Sequence, residues 1–351
     1  MICLQKPEIN QPKGNRLLYF DVMNILACIS VLILHHNTAV HTFANGRSWI
    51  FSLVMECAFY WAVPIFMMVS GANLLGYHKK YSTGTFFRKR FIRTFIPWLI
   101  WSAAVLFWKL KIGSITPKAN TFAAYFNLIF QNNVESRYWF FRSLFSCYLM
   151  LPVLTYLTEH KSTMWYAFVV ALLLYSIQPM IQLFQPLRQG IFQLNSDGLI
   201  LYFLLGWLLN NTQLSKKQRI LIYILGIAGV TFRFVYTYTM SVEAHATNTA
   251  IKGYRMFHAV TLSAAVFVFL KHVNWEKLLP QWLKKALPKL ASYSFGVYLI
   301  HSVVIFYEQK LLHLSVRDMA FKTICVPLTY VICILIVALL KKIPFLGKYI
   351  C

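Results

Sequence analysis

Apolar runs near twenty residues long recur from residue 17 to residue 341, separated by short polar connections, and within each run the hydrophobic residues are continuous. A helix of that length crosses a hydrocarbon core of roughly 30 Å. The alternation of a membrane β-strand is missing, and in lipid only helices or closed barrels satisfy every backbone polar group, so the runs read as helices. Ten spans are predicted, at about 17–40, 50–76, 91–109, 138–157, 163–184, 197–211, 219–240, 254–272, 290–312 and 319–341. The sixth, DGLILYFLLGWLLNN, is short enough to be tilted or partly re-entrant. The predicted fold is an all-α integral membrane bundle of about ten transmembrane helices. It forms one domain over residues 1–351, with a polar lead at 1–16 and no soluble appendage.

Composition supports that reading. The chain is 58% hydrophobic and 17% aromatic, with a mean hydropathy of +0.57. A formal charge of +24 would point to nucleic acid in a soluble protein, but here the 34 Lys and Arg lie mostly between apolar runs, where they orient a membrane protein. Nucleic-acid binding is therefore set aside. Counted over alternate flanks, 21 Lys and Arg fall on the side of both termini and 11 on the other, which predicts cytoplasmic termini. Five of the seven cysteines, Cys28, Cys57, Cys147, Cys325 and Cys333, sit inside apolar runs and read as small buried hydrophobes.

Polar residues inside such runs are costly and mark function. In RLLYFDVMNILACISVLILHH, Asp21, Asn24, Cys28 and His35 are separated by 3, 4 and 7 positions, a single helical stripe, whereas His36 points about 100° away. Two adjacent histidines also simply end a helix at an interface. His35 lies roughly 28 Å along the helix from Arg16, toward the outer face, and the returning chain brings Glu56 to a similar depth, where a carboxylate would orient an imidazole. Ser70 and Gly71 remove bulk near the other end of the second span.

The patch Arg88, Lys89, Arg90 and Arg93 follows at the cytoplasmic boundary. Topology alone accounts for cations there, and guanidinium groups at that place equally suit a phosphate-bearing cosubstrate. Trp139 and Arg142 open the fourth span, a combination suited to sugar faces and to an interfacial belt. Tyr298 and His301 share a face of the ninth span. No HExxH, paired-cysteine motif, Gly-rich phosphate loop or GxSxG elbow is present, so no metal is expected.

The order and spacing of YFDVMNILACISVLILHH, VPIFMMVSGANLL, FFRKRFIRTFIPW, YWFF, YFLLGWLL and SYSFGVYLIHSVVIF resemble the membrane-embedded acyltransferase family 3, which O-acetylates cell-surface glycans. In that family a histidine near the end of the first helix is essential and is usually preceded eleven positions earlier by an arginine. His35 matches the histidine, and Asn24 stands where the arginine would be. The resemblance implies transfer of an acetyl group from acetyl-CoA to a hydroxyl of a glycan or glycolipid at a bacterial-type plasma (inner) membrane. In that scheme His35 is the general base, with Glu56 and His36 as the further catalytic residues. Arg88, Arg90, Arg93, Asn24, Ser70 and Gly71 serve the CoA, and Trp139, Arg142, Tyr298 and His301 the acceptor. The rival reading is an exporter or flippase of a polysaccharide or lipid-linked sugar that uses the same polar residues without covalent chemistry.

Overall fold

A computed structural model describes residues 17–117, 119–184, 198–344 and 346–349; the 1–16 lead lies outside the described residues. In chain order the helices are α1 Leu18–His36, α2 Arg47–Phe59, α3 Ala62–Leu74, α4 Thr83–Arg90, α5 Ile96–Lys111, α6 Phe122–Phe130, α7 Trp139–Leu154, α8 Lys161–Leu172 and α9 Gln178–Phe184. They continue as α10 Ile200–Asn211, α11 Lys216–Glu243, α12 Phe257–His272, α13 Trp275–Leu278, α14 Gln281–Leu312, α15 Met319–Thr323, α16 Cys325–Leu340 and α17 Leu346–Tyr349. Among the described residues seven helical stretches are long and apolar enough to cross a membrane, and α10, α12 and α16 are shorter apolar helices. Each coincides with one of the ten apolar runs.

The outward faces are apolar. On α16, Leu328, Val331, Leu335 and Leu339 are all exposed at helical spacing, and on α11 Ile220, Leu221, Ile224 and Ile227 are likewise. Rows of exposed Leu and Ile this long are a liability in water and are satisfied in lipid.

The interior is organised around α1, which packs against α3, α14 and α16. The tightest crossing joins α3 to α10. A Cβ at Gly71 would overlap the backbone of Phe203, and one at Gly206 would overlap the backbone of Met68, so only glycine lets the two backbones meet. The run predicted at 50–76 is broken at Tyr60 and Trp61 into α2 and α3. Between α4 and α5 the turn Phe91–Phe95 is π-helical, immediately ahead of Pro97, whose missing N–H interrupts the α-helical hydrogen-bond ladder at that point. The π turn continues the helix with a shifted register, and Arg90, Arg93 and Thr94 all come to line one cavity. The connection after α5 contains the short apolar helix α6, which buries no residue.

Candidate functional site

Two cavities lie along α1. The first, about 460 Å³, is lined by Asn24 and Ser70 together with Arg90, Arg93, Thr94 and Tyr148. The second, about 350 Å³, is lined by His35, Glu56, Tyr60, Trp139, Lys252 and Tyr254 among others. Tyr298 lines both. Asn24 and His35, one in each cavity, are eleven residues apart, about 16 Å along the helix.

His35 is one of two stacked imidazoles. Its ring lies over that of His301, with centroids 5.0 Å apart and planes 24° from parallel. Nδ1 of His35 accepts a hydrogen bond from Nε of Arg137 at 3.3 Å, and Nδ1 of His301 donates to the Tyr298 carbonyl at 2.7 Å. Arg137 is fixed in turn by Glu135, whose Oε1 is 3.0 Å from its guanidinium and 3.2 Å from its backbone nitrogen. Burial works against the Glu135 charge, yet Arg137 and then Lys109 hold its carboxyl below the usual range.

Glu56 faces the same cavity as His35 but does not orient it. Its carboxylate pairs with Arg233 at 3.2 Å, and the Arg233 guanidinium lies 3.7 Å over the Tyr60 ring. A buried carboxylate is stable there because it is matched by a cation that is itself stacked. The neighbour that holds His35 is Arg137. Lys252 reaches the mouth of the cavity, 3.1 Å from Nδ1 of His41, and Trp139 stacks on Tyr254 with ring centroids 5.5 Å apart.

His36 belongs to a different environment. It is fully buried, donates from Nδ1 to the Leu32 carbonyl at 2.8 Å, and places Nε2 3.0 Å from Thr329 Oγ1 and 3.4 Å from Glu308 Oε2. The structure therefore brings His35, His301, Tyr298, Trp139 and Glu56 together and leaves His36 on a different face of α1, toward Glu308 and Thr329. Of the predicted cosubstrate residues, Arg90, Arg93, Asn24 and Ser70 share the larger cavity. Arg88 is exposed and does not line it, Gly71 sits in the α3–α10 crossing, and Arg142 is exposed and lines neither cavity.

Sequence reasoning missed the roles of Arg137, Glu135, Arg233 and Lys252. Arg233 could have been found, since a lone cation inside an apolar run requires a counter-ion. Arg137 and Lys252 look like ordinary loop cations, and only the fold gives them partners. Among the described residues the five cysteines in apolar runs are buried and form no disulfide. Among the described residues no three His, Cys, Asp or Glu side chains converge as metal ligands do.

These features define a class: a multi-pass helical membrane protein whose first helix carries an imidazole to the wall of an internal polar cavity. Residues 17–341 match the family model described as an acyltransferase domain, and the chain belongs to acyltransferase family 3. It is a membrane acyltransferase, an enzyme that requires an acyl donor as cosubstrate. No curated protein and no solved structure matches it.

Proposed function

We propose that the protein is an acyl-CoA-dependent O-acyltransferase that moves an acetyl group to a hydroxyl of a cell-surface glycan or glycolipid, with His35 as general base. The observation that carries this reading is the pair of cavities meeting at Tyr298, one lined by Arg90 and Arg93 and one lined by His35. The positive-inside count assigns the Arg90 cavity to the cytoplasm, where acyl-CoA is available. Arg90 and Arg93 hold the CoA phosphates, which guanidinium groups bind bidentately. The pantetheine arm then runs along α1 past Asn24 and Ser70 toward Tyr298, so the thioester reaches the second cavity without the nucleotide crossing the membrane. This arrangement reconciles a cytoplasmic donor with a histidine at the far end of the helix.

The acceptor enters the His35 cavity, whose wall includes the stacked rings of Trp139 and Tyr254. His35 takes the proton of the acceptor hydroxyl as its oxygen attacks the thioester carbonyl. The new C–O bond forms, the C–S bond breaks, and the proton passes from the imidazole to the departing sulfur. Mass spectrometry of surface glycans from cells with and without the protein tests the proposal. An acetyl increment that depends on the protein supports it, and identical glycans contradict it. An exporter would change the amount of glycan at the surface without adding an acetyl group.

A further inference from the structure

We infer that Arg137 is a positioning residue that caps the proton-accepting nitrogen of His35 and withdraws to Glu135 when the acceptor hydroxyl binds. The inference rests on the reading of His35 as the base. A guanidinium has only donors, so the Nδ1 that receives the Arg137 Nε–H at 3.3 Å is a lone pair. A neutral imidazole with a lone pair on Nδ1 carries its proton on Nε2. In this state His35 therefore presents an N–H rather than a base, and the nitrogen able to take a proton is the one Arg137 covers.

The second ring is set in the opposite sense. A backbone carbonyl only accepts, so His301 Nδ1 carries the proton that it gives to Tyr298 at 2.7 Å, and its Nε2 is a lone pair. That Nε2 is buried and without a hydrogen-bond partner among the described residues. The stacked pair thus holds two fixed and opposite tautomers. The one on His35 is dictated by a side chain that reaches it from 102 positions away.

Arg137 has somewhere to go. Its guanidinium is already joined to Glu135 at 3.0 Å, and that carboxylate is buried with Lys109 3.7 Å away, so the cation stays matched after it releases His35. Its backbone does not need to move, because its carbonyl is held by the Tyr298 hydroxyl at 2.6 Å. The same Tyr298 lines both cavities, so whatever displaces it from one side reaches the Arg137 segment directly. When the hydroxyl replaces the guanidinium at Nδ1, its proton moves to Nδ1 as the C–O bond forms, and the same proton leaves with the thiolate as the C–S bond breaks.

The test is nitrogen NMR of the full-length protein in lipid nanodiscs with ¹⁵N-labelled histidine, the His35 resonances being those lost in His35→Gln. The expected wild-type signature is an unprotonated Nδ1 and a protonated Nε2. In Arg137→Gln both tautomers appear, kcat falls about two- to threefold in proportion to the lost Nε2–H tautomer, and the KM for acetyl-CoA is unchanged. Arg137→Lys, which keeps a cation without the fork, retains more activity than Arg137→Gln. A protonated Nδ1 in the wild type overturns the inference, and that measurement stands even where a variant fails to fold. A tautomer unmoved in Arg137→Gln also overturns it. Full transfer by His35→Gln alongside the expected wild-type tautomer would instead overturn the assignment of the base.

Discussion

Two adjacent histidines at the end of one helix have unrelated surroundings, and substitution separates them. His35→Gln keeps the size and polarity of the side chain but removes the titratable nitrogen. Acyl transfer is expected to fall by about 10²–10⁴-fold with the unfolding temperature unchanged, as for loss of a general base. His36→Leu removes a partner of the buried Glu308 and Thr329, so it should destabilise the protein by about 1–3 kcal/mol while kcat at low temperature is retained. Thermal unfolding and single-temperature kinetics on both variants check the pair. The stripe through Asn24 was enough to prefer His35 from sequence. What holds His35 was not legible, because Arg137 is 102 positions away and Glu308 lies 272 positions from His36, and no local periodicity encodes either contact. Glu135 supplies a pH dependence at this scale. Its carboxyl lies below the usual value of 4.5, so its ionised form stabilises the fold above that value and the contribution is lost as pH falls through the lower, folded value. Glu135→Gln should flatten the stability profile below about pH 4.5, measured by unfolding across pH, relative to the wild type.

Helix placement follows from the apolar runs, and the differences between run and helix each have a local cause. The ninth run was predicted to begin near 290, whereas α14 begins at Gln281, because Lys284, Lys285 and Lys289 extend the helix beyond the apolar stretch without ending it. The break between α2 and α3 does not show in the hydrophobic pattern, since Tyr60 and Trp61 are as apolar as their neighbours; its local cause is Pro64, which has no N–H to give the Tyr60 carbonyl four residues back. Gly71 shows the reverse problem. A small residue beside Ser70 is equally consistent with a vestibule and with a helix crossing, and only the position of α10 decides between them. Gly71→Ala is expected to cost about 1–3 kcal/mol or more, because the new methyl meets backbone that cannot rotate away. A lowered unfolding temperature in detergent, with Ser70→Ala much closer to the wild type, is the outcome that fits.

On the scale of the molecule, basic and imidazole-bearing ends of one bundle are joined through two cavities that share Tyr298. The sequence made both ends visible, as a cluster of cations and as a polar stripe, but not the path between them, which is built from α1, α3, the turn around Arg90–Thr94, α7 and α14 together. The division within the arginine cluster tests whether the first cavity receives the donor. Arg90→Gln and Arg93→Gln, which alter its lining, should raise the KM for acetyl-CoA, whereas Arg88→Gln, exposed and outside it, should leave KM close to the wild-type value. Equal effects from all three would reduce the cluster to a topological signal. The most direct test of the central claim is release of free thiol from acetyl-CoA by the purified protein in nanodiscs, with glycan acceptor supplied, for the wild type and His35→Gln. The account predicts acceptor-dependent thiol release that is lost in His35→Gln. Release that is undiminished in a folded His35→Gln protein would contradict it.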